Sequence, residues 1–426
     1  MASKDLSILI CGEAGQGLVT GGTILAKALM RSGFRVVVTQ SYESRIRGGH
    51  NTFAIRYALG RVITPRESVD LLLALTPATV DMHRSQLTPH ARTIVDTAYG
   101  LARSDSQIAV PFRELAEPRM FTMAASAVAA ALLGLERDLL GQTVNDLLGT
   151  KHPELTEANQ KVLSKAYEWV GQNGFPRLGP PPAPQASPQM LMDGNEAIAA
   201  GAMSAGVRFC SYYPMTPGSS IMQAMITHAK RVGVVVEQAE DEIAAINMAI
   251  GASYAGAPSM VSTSGGGFAL MVEGVSLAAM METPVVVVVA QRPGPATGLP
   301  TRTEQADLEF VLHSGHGEFP RAIFAPADVE ECFHLTRRAF DLAEKYQGPM
   351  FLLTDQFLAD SLRSVEPFDA ANLPTVAPQV AGADLPGPYR RYAITDTGLS
   401  PRLVPCETPH LVITDSDEHD EEGHIT

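Results

Sequence analysis

Short apolar runs alternate along this chain with segments in which apolar positions recur every three to four residues. In the first part Leu6–Cys11, Arg35–Thr39, Leu71–Leu75 and Thr93–Val95 read as strands, and Gly17–Ser32, Phe121–Leu133 and Glu157–Val170 as helices. That alternation predicts a layered α/β domain with a mainly parallel sheet. The run Gly174–Pro188, "GFPRLGPPPAPQASP", breaks the pattern and reads as an extended linker. Beyond it the alternation returns, with helices at Gly194–Ala205 and Ser220–Val232 and strands at Arg208–Tyr212, Ser259–Ser262, Val285–Val289, Arg321–Phe324 and Met350–Leu353. The expected organisation is an α/β domain over 1–172, a linker over 173–189, a second α/β domain with a parallel sheet over 190–362, and an extended proline-rich and acidic segment over 363–426. The acidic end, "TDSDEHDEEGHIT", reads as a solvated, poorly ordered tail whose His419 and His424 are weak cation candidates.

Composition narrows the classes. With 426 residues, 45% hydrophobic and 18% charged, the chain is a globular protein of two to three domains. A net charge of −14 argues against nucleic-acid binding, which needs a basic face, and suits small anions held by a few local cations or docking to a partner with a basic face. The apolar run Pro284–Ala290 is too short to span a bilayer, and the N-terminus lacks the layout of a signal peptide, so the expected location is cytoplasmic. Cys11, Cys210, Cys332 and Cys406 are far apart, so neither disulfides nor a metal held by this chain is expected, and any electron wire belongs to a partner.

The chemistry-bearing candidates are few. An apolar run, Val234–Val236, reads as a buried strand; Glu240, Asp241 and Glu242 follow and open a helix of small residues. Acids in a first turn complement the helix dipole, which accounts for two of the three. Glu242 differs, because Ala245, Ile246 and Ala249 lie on its helix face and should pack inward. A carboxylate there needs a partner, and burial without one favours proton exchange with a bound molecule; a capping or ion-paired glutamate is the plainer alternative.

Gly12, Gly15 and Gly17 in "CGEAGQG" lie between strand and helix, spaced GxxGxG, and read either as a tight packing turn or as an anion contact at a helix N-terminus. The following strand ends at Thr39 and Gln40 without the acid that a nicotinamide ribose requires. The loop Ser41–Asn51 places Arg45, Arg47 and His50 beside two glycines, as an anion clamp, a subunit contact or a solvated loop. In "SYYPMTPGSS", Pro214 and Pro217 fix the backbone around Thr216. Gly265, Gly266 and Gly267 let a flat ring approach the backbone, or simply make a tight turn. Arg292 leaves a buried strand where ligands lie in open α/β sheets; its fork suits a carboxylate, with Thr297 and Thr301 nearby, and an ion pair to Glu304 or Asp307 is the alternative.

Eight collinear segments carry a resemblance: "GEAGQG", "ESRIRGGHN", "GNEAIAAGAMSAG", "YYPMTPGSS", "EDEIAAINMAIGASYAGA", "TSGGGFALMVEG", "QRPGPATGLPTRTEQADL" and "HGEFPRAIFAPADVEE". The chain resembles the 2-oxoacid:ferredoxin oxidoreductases, in particular the large subunit that fuses a gamma domain ahead of an alpha domain. The resemblance implies a gamma-type α/β domain followed by a domain like the pyrimidine-binding (PYR) domain of thiamine diphosphate enzymes. It implies that Glu242 hydrogen-bonds the cofactor's aminopyrimidine ring, that Thr216 and Arg292 orient a 2-oxo carboxylate, and that Thr297 and Thr301 line the pocket. Pro214, Gly265 and Gly266 would border the cofactor, and Gly12, Gly15 and Gly17 would be the loop for coenzyme A or another anion.

The implied activity is oxidative decarboxylation of a 2-oxoacid, 2-oxoglutarate foremost, to acyl-CoA with reduction of ferredoxin. No GDG magnesium-diphosphate signature and no cysteine cluster occurs in the sequence. The resemblance assigns the diphosphate, its Mg ion and the [4Fe-4S] cluster to a beta subunit, in a dimer of gamma-alpha/beta units without nucleic acid or membrane. Members with residues like "HDEEGHIT" continue into a further α/β domain, whereas this sequence ends there; the expectation is a truncated or split sequence, or an enzyme lacking that domain. A non-catalytic scaffold that retains the fold is the competing reading.

Overall fold

The computed structural model describes residues 5–43, 48–101, 104, 106–149, 153–183, 187–373 and 388–426. The chain divides into two units, Met1–Met192 with Ser361–Pro367, and Asp193–Asp360 with Phe368–Thr426.

The first unit is built on β1 (Asp5–Ala14), β2 (Arg35–Ser41), β3 (Gly48–Ala58), β4 (Val69–Ala74), β5 (Leu87–Asp96), β6 (Gln107–Val110) and β7 (Met190–Met192). Far along the chain, β14 (Arg363–Val365) returns to complete an eight-stranded sheet of order β6-β5-β4-β1-β3-β2-β14-β7. The expectation of a mainly parallel sheet needs correction here. β1, β4, β5 and β6 are parallel, but β1–β3, β3–β2, β2–β14 and β14–β7 are antiparallel. The cause lies in β3, where Phe53, Ile55 and Tyr57 are buried and alternate with half-buried Ala54 and Arg56, the period-two pattern common in antiparallel strands. The helix Leu18–Arg31 packs closely on β3 because Gly22 faces Phe53: a Cβ there would lie 2.3 Å from the ring. Arg45 and Arg47 lie outside the described residues.

The second unit carries β8 (Phe209–Tyr212), β9 (Val235–Gln238), β10 (Ser259–Thr263), β11 (Val285–Gln291), β12 (Ala322–Phe324) and β13 (Pro349–Asp355). Their order is β12-β13-β11-β10-β8-β9, and every pairing is parallel. All seven residues of β11 are buried, as an unbroken valine run covered on both faces requires. At the sheet margin β9 behaves differently: Val235 is 57% exposed, so the apolar run before Glu242 is an edge strand rather than a buried one. From β8 the chain goes to β9 on one side and then to β10 on the other, which opens a crevice at the carboxyl ends of these strands. Among the described residues no helix is long and apolar enough to cross a membrane.

The C-terminal segment is docked by residues that precede its acidic end, while most of the acids in that end stay exposed. Arg391, almost wholly buried, donates to the carbonyls of Met281 and Glu282, and Tyr392 stacks on His419 with ring centroids 3.6 Å apart. Val404 packs on Gly256, and Arg402 pairs with Glu344 at 3.4 Å with side chains 7% and 3% exposed. Its arginines and aromatics, rather than its acids, decide the outcome. Removing one partner of a buried ion pair leaves the other charge without water or counterion. Arg402→Met is therefore expected to destabilise the protein by about 3–5 kcal/mol, read as a lowered thermal midpoint; an unchanged midpoint would mean that the tail contributes nothing to the fold.

Candidate active site

The three acids after β9 take three different roles. Glu240 is exposed; Asp241 caps the helix Glu242–Tyr254, its Oδ1 accepting from the Ala244 N–H at 2.7 Å. Glu242, the first helical residue, is 3% exposed, and its Oε1 is buried without a hydrogen-bond partner. Ala245, Ile246 and Ala249 on the same face are fully buried, so helical spacing carries the carboxylate inward. An unpaired buried carboxylate oxygen is costly, so in an ordinary core it would have been replaced by an apolar group or given a donor.

Above that oxygen lies a surface without side chains. The helix Gly265–Met280 begins directly after β10, and a Cβ on Gly267 would sit 2.6 Å from Glu242 Oε1 and 2.2 Å from Thr263 Oγ1. Around the same helix start, a Cβ on Gly265 would meet the Asp307 carboxylate at 2.5 Å, and one on Gly266 would meet the Ala296 carbonyl at 3.2 Å. The glycines let the loop after β11 close over the helix start and let the Glu242 carboxylate pack directly against it. Gly267→Ala is expected to cost about 1–3 kcal/mol and to push the Glu242 carboxylate aside. A melting curve and a cofactor titration of the assembled enzyme check it; unchanged values in both would mean that the close approach of Glu242 to Gly267 has no role.

Arg292 follows β11 and is 9% exposed. Its Nη1 donates to the Thr216 carbonyl at 2.8 Å, its buried Nε has no partner, and desolvation lowers its pKa from the usual guanidinium value. It forms no ion pair with Glu304 or Asp307, so the salt-bridge alternative does not describe this structure. The carboxylate of Asp307 turns instead toward Gly265, where burial, and then Glu304, raise its pKa. What is held at Thr216 is its carbonyl; the residue itself is exposed, as is Pro214. Thr297 is exposed and Thr301 half-buried on the loop after β11.

Sequence reasoning missed Asn195. Fully buried, it donates from Nδ2 to the Pro217 carbonyl at 2.8 Å and to Ser220 Oγ at 2.7 Å, bracing the loop that carries Thr216. The available signal was an amide in the first turn of a small-residue helix that opens with the capping box of Asp193 and Glu196. Ser264 is a second omission, fully buried with its Oγ unpartnered just before the glycines.

Gly12, Gly15 and Gly17 belong to the other unit. There the Gln16 side chain folds into the turn, its Oε1 accepting from the Glu13 N–H at 2.9 Å, while Gly15 and Gly17 have φ of 92° and 78°. The Cβ positions of Gly15 and Gly17 are open, with no atom within 4 Å.

The all-parallel sheet, in a stretch that matches a thiamine diphosphate-binding family, makes the second unit a cofactor-binding α/β domain of the thiamine diphosphate-enzyme class. Residues 200–426 match the family described as pyruvate flavodoxin/ferredoxin oxidoreductase, thiamine diphosphate-binding, and residues 7–169 match pyruvate ferredoxin/flavodoxin oxidoreductase. A 2-oxoacid:ferredoxin oxidoreductase subunit alpha from a Sulfolobus species is 32% identical over 99% of this chain and 75% of its own length. The 2-oxoglutarate synthase subunit KorA of Archaeoglobus fulgidus is 43% identical over 41% of this chain and 51% of its own. Among solved structures, the 2-oxoglutarate:ferredoxin oxidoreductase of Magnetococcus marinus, which has 2-oxoglutarate, coenzyme A and succinyl-CoA bound, superposes with a TM-score of 0.90 at 30% identity. That match covers all of this chain and 76% of the other. The chain belongs to the 2-oxoacid:ferredoxin oxidoreductase family and is of its alpha-subunit type.

Proposed function

We propose that this chain supplies the pyrimidine side of a thiamine diphosphate site in a 2-oxoacid:ferredoxin oxidoreductase, with 2-oxoglutarate as substrate and acyl-CoA and CO2 as products. The observation that carries the reading is the unpartnered Oε1 of Glu242, buried against the glycine-rich start of the helix Gly265–Met280. A nitrogen heterocycle answers that feature, because a ring nitrogen gives the buried oxygen its missing partner. Bound there, thiamine diphosphate would supply the electron sink for loss of CO2.

The chain's own residues bind, orient and hold a proton. Glu242 holds or gives a proton at the ring nitrogen from a buried position beside Thr263 and the helix start. Arg292 is fixed at one Nη by the Thr216 carbonyl, and its Nε remains for a substrate carboxylate; Thr297 and Thr301 add hydroxyls on the same loop. Asn195 holds the Pro217 turn so that Thr216 keeps its place opposite Arg292. Positioning of this kind lowers a barrier without any of these groups exchanging a proton.

The diphosphate, its Mg ion and the iron-sulfur cluster are assigned to a beta subunit, and ferredoxin takes the two electrons. Gly12, Gly15 and Gly17, with open Cβ positions at the last two, are the proposed coenzyme A contact. Support for 2-oxoglutarate comes from the KorA relative and the Magnetococcus marinus structure. The test is co-expression with a beta subunit of the same family, followed by viologen reduction and CO2 release with 2-oxoglutarate and pyruvate in competition. Release of CO2 from neither, by an assembled complex, would leave the scaffold reading standing.

A further inference from the structure

The first unit holds a cluster that the proposed reaction does not use. β1 lies between β3 and β4, antiparallel to one and parallel to the other. The end of β1, the start of β3 and the segment after β4 therefore share one end of the sheet. Three side chains meet there: Cys11 from β1, His50 from β3, and His83 directly after the helix Pro77–Met82. The Cys11 Sγ and one nitrogen of each imidazole all lie within 4.8 Å of one another. The two Nε2 atoms are 2.7 Å apart, and His83 Nδ1 is 2.5 Å from Gln86 Oε1.

Those contacts fix the chemistry. An amide oxygen only accepts, so His83 carries its proton on Nδ1 and turns the lone pair of Nε2 into the cluster. His50 then donates its Nε2 proton to that lone pair across the 2.7 Å contact, and a cation between the rings would take the place of that proton. Both rings turn Nε2 toward the cluster, the atom through which an imidazole binds a metal once that shared proton is displaced. Cys11 is fully buried against Leu9, Leu72 and Ala74, and burial pushes its thiol up to about 12. A coordinated cation would remove that thiol proton outright.

The geometry is nearly that of a bound ion. Tetrahedral zinc, with Zn–S of about 2.3 Å and Zn–N of about 2.0–2.1 Å, sets its ligand atoms roughly 3.3–3.6 Å apart. The two nitrogens would open slightly from 2.7 Å, and the sulfur contacts would close from no more than 4.8 Å. A thiolate with two imidazoles and no carboxylate suits zinc, not magnesium or calcium. Both histidines are half-buried, which leaves a fourth position toward solvent. We propose that Cys11, His50 and His83 form a zinc site in the first unit, with three protein ligands, one open position, and Gln86 orienting His83. Cysteine spacing in the sequence gives no hint of it, because two of the ligands are histidines brought together by the order of the strands.

The test uses the untagged full chain, stripped with chelator and titrated with Co2+ alone and then Zn2+. One equivalent of Co2+ is expected to produce a sulfur-to-cobalt charge-transfer band in the near ultraviolet, which zinc then abolishes. Cys11→Ser should remove the band, and His83→Gln should weaken binding. Cys11 lies in a core and its replacement could disturb folding, so Gln86→Leu on the exposed surface is the deciding variant. Loss of an orienting partner typically weakens metal binding about 10–100-fold, and that shift is expected here. Absence of a saturable band in the wild-type chain, or a band undiminished in both His83→Gln and Gln86→Leu, overturns the proposal.

Discussion

Replacement of Glu242 by Gln is expected to lower turnover of the assembled enzyme by about 10²–10⁴-fold while leaving its folding and assembly intact. The substitution preserves shape, and the carboxylate makes no hydrogen bond through Oε1 that the amide would break. What it removes is the acceptor that can hold and return a proton. Glutamine offers a donor as well as an acceptor, so the cofactor should still bind, and the loss should fall on kcat. The measurement is a steady-state assay beside a cofactor titration. Turnover within a few-fold of wild type, with the cofactor bound, would mean that Glu242 is a structural residue and that the pyrimidine assignment is wrong.

Arg292→Lys should fall mainly on substrate binding. The guanidinium holds the Thr216 carbonyl with one nitrogen while its Nε is unpartnered; an ammonium on a shorter, round head cannot serve both directions at once. Charge-assisted hydrogen bonds contribute about 1.5–3 kcal/mol each, so loss of one or two predicts a fall in kcat/KM of roughly 10²-fold, carried by KM if the carboxylate is held equally in ground and transition states. Cofactor affinity should not move. A variant with unchanged KM for every 2-oxoacid would show that Arg292 serves only to hold the turn at Thr216.

Much of this site was legible because its signals are local. Helical spacing alone separates Glu242 from Glu240 and Asp241, and the structure distributes the three as buried, exposed and capping. The parallel sheet of the second unit likewise follows from valine runs alternating with amphipathic helices. What was not legible depends on partners distant in sequence. The alternation at Phe53, Ile55 and Tyr57 fits an antiparallel strand, but nothing near it says that β3 will lie between β1 and β2. Asn195 gives no sign that its amide will reach Pro217, and the acidic composition of the tail hides the arginines and aromatics that dock it. The cluster of Cys11, His50 and His83 belongs to the same class, since only the order of strands brings it together.

The return of the chain through β14 bears on how this protein can be cut. Leu362 accepts the Val38 N–H at 2.8 Å, Ser364 Oγ accepts that of Val36 at 2.9 Å, and Arg35 pairs with Glu366. A fragment ending at the proline-rich linker would lose those acceptors and expose the flank of β2, an apolar strand with unpaired amide groups, to any extended chain in reach. Excision at the linker should therefore yield an aggregating fragment, and separate expression of the first unit calls for residues 361–367 to be grafted back onto its end.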